Sequence, residues 1–322
     1  MTHSIGVVLT AVLSLMSTRG WAQADYPSRP VRFVVPFAPG GTTDVVARVI
    51  AEELRQAFKQ SFIVDNRGGA GGNVGAEIVA KSAPDGHTIL LTSPGPQVIN
   101  RFLYARLPYN PEKDFAPVVL VTRQGNVLTV HPSLPVQTLV QFIGRARSKP
   151  GSINYATGGS GTSAHLAIVL FASLTKTDLA HIPYKGTGPA LQALLAGQVE
   201  MMLNTLPAMI PHIRAGKLVA LGVSTAQSSS ILPDVPTIGS VVPGYEASSW
   251  LAIMAPAGTP PGIVAKLNAE ANRILEKREI RDRFEGIGAD PAGGSSQDLA
   301  KHLAVETAKW GKVVQLSGAK AD

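Results

Sequence analysis

An apolar strand that runs into a glycine-rich turn and then opens a helix occurs twice in this chain, about 120 residues apart. The first copy is Val31-Arg-Phe-Val-Val-Pro-Phe-Ala-Pro-Gly-Gly-Thr-Thr-Asp44, followed by the helical pattern Val45–Phe58. The second is Ser152-Ile-Asn-Tyr-Ala-Thr-Gly-Gly-Ser-Gly-Thr-Ser163, followed by Ala164–Leu174. A helix start offers backbone N–H groups with no partner inside the helix, at the positive end of the helix dipole, which suits an anion. Two such starts in two halves of one chain predict an anionic ligand gripped between two lobes.

The preceding residues predict export. Ile5–Met16 is an apolar run of 12 residues, short of the roughly 20 needed to span a bilayer. Ala22-Gln-Ala24 supplies the small-x-small pattern of a signal-peptidase site, so residues 1–24 are expected to leave and the mature chain to begin at Asp25. The leader has no Lys or Arg before its apolar run, which departs from the usual pattern. The absence of cysteine excludes a lipoprotein anchor and a disulfide framework. The 298 residues left are enough for two domains with their own cores.

At 45% hydrophobic and only 16% charged, the chain is globular rather than disordered. Its net charge of +7 raises the possibility of nucleic acid. However, no basic run exceeds two residues, and Arg48, Arg55, Lys59, Lys266 and Lys277 are scattered over helix faces. A solvated surface that mildly attracts small anions is the reading taken, with no nucleic-acid partner.

Strand and helix patterns alternate along the chain, as in α/β layers with largely parallel sheets. Strands are expected at 32–36, 62–66, 88–92, 116–122, 127–130, 153–156, 180–183, 199–203, 219–223 and 251–255. Helices are expected at 43–58, 72–82, 139–148, 163–174, 189–196, 261–275 and 296–316. The stretches Val121–Val130, interrupted by Arg-Gln-Gly-Asn, and Leu218–Ser224 have the character of paired hinge strands. They divide the chain into a first lobe of residues 25–124 plus 226–322 and a second of residues 125–225.

Besides Gly41-Thr-Thr43 and Gly159-Ser-Gly-Thr-Ser163, helix starts are expected at Tyr184-Lys-Gly-Thr-Gly-Pro189 and Asn204-Thr-Leu-Pro207. Each follows a strand, at the carboxyl edge where open α/β sheets place ligands. Within them only Asp44 and Lys185 carry full charges. Thr42, Thr43, Ser160, Thr162 and Ser163 supply hydroxyls for a carboxylate; Asp44 fits a role complementing the dipole, and Lys185 one of attraction or of plain surface. Catalytic signatures are weak. Gly158-Gly-Ser-Gly-Thr162 lacks the last glycine of a nucleophile elbow, and the seven histidines form no zinc pattern. Gly159-Ser-Gly161-Thr-Ser-Ala164 matches a dinucleotide fingerprint only formally, because Asp178 precedes the next strand instead of ending it. No cofactor is expected.

Tyr26-Pro-Ser-Arg-Pro through Asp44, Val64-Asp-Asn-Arg-Gly-Gly-Ala-Gly-Gly-Asn-Val-Gly75, Ala83-Pro-Asp-Gly-His-Thr88 and Pro108-Tyr-Asn-Pro-Glu-Lys-Asp-Phe115 together resemble the Bug family. The resemblance continues through Gly159–His165, Pro183-Tyr-Lys-Gly186, Pro211–Lys217, Leu232–Thr237 and Ala255–Pro260, and so covers the whole mature chain. These are substrate-binding receptors of tripartite tricarboxylate transporters. The resemblance implies a periplasmic two-lobe binding-protein fold of type II character that takes a small organic acid and meets membrane permease subunits, with a sensor as the alternative partner. The chain is expected to be a monomer and not an enzyme, the alternative being an exported enzyme of small acids using Ser160 and His165. The resemblance also implies ligand contacts from the loop holding Phe37, Ala38, Gly41, Thr42 and Thr43, and from Ser160, Gly161, Thr162 and Ser163 with the turn Tyr184-Lys185-Gly186. Leu203-Asn204 stands where the family often has Phe-Asp, so Asn204 trades a negative charge for a donor. Trp250 fits a pocket wall or the first-lobe core.

Overall fold

The computed structural model describes residues 26–160, 162–225, 228–229, 231–286, 288–317 and 320–321. The expected leader and its cleavage point lie outside the described residues, as does Gly161. In chain order the first elements are β1 (Val31–Val35), α1 (Thr42–Phe58), β2 (Phe62–Asn66), α2 (Asn73–Ala80), β3 (Thr88–Thr92), α3 (Asn100–Leu103) and β4 (Phe115–Val130). Next come α4 (Leu139–Ser148), β5 (Asn154–Thr157), α5 (Ser163–Thr175), β6 (Ala180–Pro183), α6 (Thr187–Leu195), β7 (Met201–Thr205), α7 (Leu206–Arg214) and β8 (Val219–Val223). The last are α8 (Ile238–Val241), β9 (Ser248–Pro256), α9 (Pro261–Glu276), α10 (Arg278–Glu285), β10 (Ala289–Pro291) and α11 (Ser296–Ser317).

The strands lie in the order β2-β1-β3-β9-β4-β7-β5-β6, with β8 and β10 also paired to β4. β1 pairs in parallel with β2 and β3, and β5 with β6 and β7. Every pairing of β4 and β9 is antiparallel. The sheets are therefore mixed, not largely parallel as the alternation suggests, because β9 returns from late in the chain to lie between β3 and β4.

Burial explains why these segments form these elements. In β1 all but Arg32 are buried, as expected of a strand covered on both faces. In α1 the buried Val46, Val49, Ile50 and Leu54 recur at helical spacing and face the sheet. Lys59, in the left-handed region at φ 54°, then stops the helix. One core cluster joins Phe33, Ile50, Leu91, Ile253 and Ile274 around the β1–β3 half; another joins Val127, Leu194, Met202 and Ile210 around the β5–β7 half. This is a two-lobe α/β fold whose halves share β4. Among the described residues no helix is long and apolar enough to cross a membrane.

Trp250 belongs to the core: it is buried on β9, with its ring edge against His302. Glu306 of α11, itself buried, accepts from Trp250 Nε1 at 3.1 Å and Trp310 Nε1 at 2.9 Å. One carboxylate thus ties α11 to β9. Glu306→Ala leaves two buried indole N–H groups unpaired, and the expected loss is about 2–5 kcal/mol in denaturant unfolding. A loss under about 1 kcal/mol would show that the carboxylate does not hold the helix.

Candidate functional site

The amino ends of α1 and α5 face each other across the cleft between the two halves. Between them lies a cavity of about 40 Å³, room for roughly three water molecules. Phe37, Gly41, Thr42 and Thr43 line it from the first half, with Ser93, Gln124, Ser249 and Leu251 at the strand ends. Gly158, Thr162, Ser163, Ala164, Thr187, Asn204 and Thr205 line it from the second. None of these residues carries a formal charge. Favourable potential for an anion must then come from the helix dipoles and from hydrogen-bond donors.

The two helix starts are finished differently. At α1, Gly41 is the N-cap and no side chain caps the helix. Asp44 is turned the other way: its Oδ2 accepts from Gly40 N at 3.0 Å and its Oδ1 meets Arg48 Nη2 at 3.0 Å. Burial raises the Asp44 pKa, but hydrogen bonds from Arg48, Gly40 and Asn66 outweigh it and hold the carboxyl below its ordinary value. At α5, Thr162 caps through its hydroxyl, which accepts from His165 N at 3.3 Å and donates to Gly159 O at 2.9 Å. Its one proton is therefore committed to the turn, and at this end donation to an anion falls to Ser163 and the backbone. First-turn acid is absent from α5, which leaves its dipole uncompensated.

Several hydroxyls bridge the halves. Thr42 Oγ1 lies 2.5 Å from Thr205 Oγ1, and Ser163 Oγ 3.2 Å from Ser249 Oγ. Asn204 Oδ1 accepts from Thr205 N at 2.7 Å, while its Nδ2 donates to Thr187 Oγ1 at 3.3 Å. An amide nitrogen has two protons, so Asn204 keeps one donor.

The remaining expected residues sit on the rim. Ala38, Ser160, Tyr184, Lys185 and Gly186 do not line the cavity. They form the loop contacts that seal it, and Lys185 is exposed. Backbones meet there at glycines. A Cβ on Gly186, whose φ is 130°, would lie 2.8 Å from Ala38 N; one on Gly188 would lie 2.6 Å from Pro39 O; one on Gly71 would collide with Ser160 O. Tyr104 adds a latch, its hydroxyl donating to Ser160 O at 3.1 Å. The Gly71 turn is held from behind, where Asn100 Nδ2 donates to Gly71 O and to Asn73 Oδ1.

Thr205 was legible as a helix cap and Thr187 lies in the Tyr184–Pro189 helix start, but Ser93, Gln124, Ser249 and Leu251 carry no motif. The one available hint was a polar interruption, Arg-Gln-Gly-Asn, inside an apolar run.

Behind the α5 turn, His165 stacks on His181 with centroids 4.2 Å apart, and His181 stacks on Tyr155 at 4.9 Å. Thr157 Oγ1 contacts His181 Nε2 at 2.7 Å and accepts from Gly159 N at 3.2 Å, coupling the stack to the cavity loop. Burial, then the neighbouring His181, lowers the His165 pKa to about 3; burial lowers that of His181 to about 4. Both rings are neutral in the folded chain. Above pH 6.5 folded and unfolded forms agree, but below it the unfolded chain gains protons that the folded one refuses, so stability falls from about pH 6.5 toward 4. Thermal unfolding between pH 7 and 5 is expected to show this fall, reduced in His181→Gln. Equal slopes would place the titration elsewhere.

A two-lobe fold closing on a charge-free, donor-lined cavity defines a solute-binding protein of the periplasmic type. Residues 46–319 match the model of the tripartite tricarboxylate transporter family receptors. Protein BugT of Bordetella pertussis is 39% identical over 97% of this chain and 98% of its own. The R. palustris protein Rpa4515, solved with adipate, is 40% identical with a TM-score of 0.90, over 92% of this chain and 100% of that one. MatC of Rhodopseudomonas palustris, solved with bound malate, is 37% identical with a TM-score of 0.87, over 90% and 100%. The chain belongs to the tripartite tricarboxylate transporter receptor family, the Bug receptors among them.

Proposed function

We propose that this chain is an exported periplasmic receptor that captures a small organic carboxylate between its lobes and presents the closed form to a membrane permease of the tripartite tricarboxylate class. The observation that carries the reading is the pair of helix starts, one from each half, converging on a cavity without charged side chains. The carboxylate would take donors from the α1 turn at Gly41, Thr42 and Thr43 and from the α5 turn at Gly161, Ser163 and Ala164. The rim residues Ala38, Ser160, Tyr184, Lys185 and Gly186 would act by closing over it. Residues 25–124 with 226–322 form the first lobe in this reading and 125–225 the second, residues 1–24 being a leader removed after Ala24. The relatives solved with adipate and malate support an acid of that size class. The protein acts as a monomer, binding without turnover.

Closure gives the affinity its source. A ligand bridging both turns favours the closed state by the difference in its affinity for the two states. Thermal unfolding of the mature protein against a panel of carboxylic acids tests this. At 100 times its dissociation constant a ligand adds about 2.7 kcal/mol, a rise of several degrees. A flat response across monocarboxylates, dicarboxylates, tricarboxylates and acidic amino acids would reject the receptor reading.

Asn204 bears on ligand charge. Asn204→Asp keeps an acceptor for Thr205 N but puts a carboxylate in the wall. Like charges about 5 Å apart at an effective dielectric near 20 repel by roughly 3 kcal/mol. Calorimetry is expected to show affinity for the recognised acid falling at least about tenfold. Unchanged affinity would place the bound carboxylate away from β7.

A further inference from the structure

Among the residues lining the cavity, Gln124 alone has side-chain polar atoms that are both buried and unpaired within the described residues. It is 2% exposed, and neither its Oε1 nor its Nε2 has a hydrogen-bond partner among the described residues. Thr42, Thr162, Ser163, Asn204 and Ser249 are each already engaged by a protein group. Gln124 lines the cavity directly opposite Ser249 on the β4–β9 ladder, and it also pairs with Ala289 of β10. Two residues on, Asn126 pairs with Thr205 of β7. The unpaired amide therefore sits where β4 passes from one half to the other.

A buried amide with both ends unpaired is costly, and a ligand that pairs both recovers that cost. Either orientation of the amide presents one donor edge and one acceptor edge to the cavity. A carboxylate satisfies only the donor edge and sets its own oxygens against Oε1. A hydroxyl satisfies both, accepting from Nε2 and donating to Oε1, and so does a carboxamide. We infer that Gln124 reads a neutral hydroxyl or carboxamide group on the ligand, set back from the carboxylate that the helix starts hold. The preferred ligands are then hydroxy acids or amide-bearing acids over their plain counterparts. The inference rests on the receptor reading above and adds the ligand's second group to it.

Calorimetry with matched pairs tests it: malate against succinate, 2-hydroxyadipate against adipate, and succinamate against succinate. The expected result is that in at least one pair the hydroxyl- or amide-bearing member binds at least about tenfold tighter. Gln124→Met, close in shape but without either polar edge, is expected to bring that ratio to within about twofold. Acids that bind with ratios near one in every pair overturn the role of Gln124 while leaving the receptor reading intact. A tenfold preference kept by Gln124→Met also overturns it. If no acid of either series binds, the inference for these acids falls, and the receptor reading is decided separately by the wider panel of carboxylic acids. Ratios near one in the unaltered protein overturn the inference even where Gln124→Met folds poorly, and Gln124→Leu then serves as the second variant for a preference that is found.

Discussion

Between Phe115 and Val130 one extended backbone provides pairing edges to both halves of the molecule. Its first part is laddered to β9 and β10, its last part to β7 and β8. A third core cluster, from Val34 and Leu90 to Tyr155 and Met201, is continuous across the halves and includes Leu120 and Leu128 of this strand. In the middle of the strand Gly125 packs so closely that a Cβ would come within 2.9 Å of Thr225 Cγ2. Thr122, Gln124 and Asn126 alternate along the same stretch, buried and polar. Polar groups at two-residue spacing share one strand face, and one of them looks into the cavity. The crossing between the halves and the cavity lining thus fall on the same few residues.

Local signals account for the parts of the fold that were legible. β2, β3, β6, β8 and α4 occupy the spans expected of them, because each apolar run ends at a turn or a cap such as Thr138. β4 reads in sequence as two strands parted by a loop, since Arg-Gln-Gly-Asn is turn-like in composition. Its continuity comes from partners distant in the chain, which no local pattern records. α10 escapes notice because Arg278–Glu285 is nearly all charged, with only Ile280 and Phe284 buried. Strand direction was legible for β1–β3, where a helix intervenes, but not for β9, which arrives after a long excursion.

The candidate site divides in the same way. The glycine-rich turns of α1 and α5 announce themselves, and both reach the cavity. Ser93, Gln124 and Ser249 are single polar residues at the ends of apolar strands, and only tertiary pairing brings them together. The rim shows why so many glycines occur in two distant segments: the lobes meet there backbone to backbone. Gly68 faces Lys185 O and Gly71 faces Ser160 O and Gly159, while Gly186 and Gly188 lie against Ala38 and Pro39. Contact of this kind is short-ranged and forms only near full closure, so partial closure gains little from it.

Because the cavity wall holds no ionised side chain, long-range attraction and final grip have separate sources. The excess of seven positive charges is spread over the whole chain, where dissolved salt screens it within about 8–10 Å. The helix dipoles and hydroxyls act at contact distance inside the closed cleft, where mobile ions do not enter. Rising salinity should then slow the arrival of an anion, since steering depends on ionic strength. It should leave the lifetime of the closed complex nearly unchanged. Such a receptor senses the salt of its surroundings as a rate of filling, not as a loss of hold.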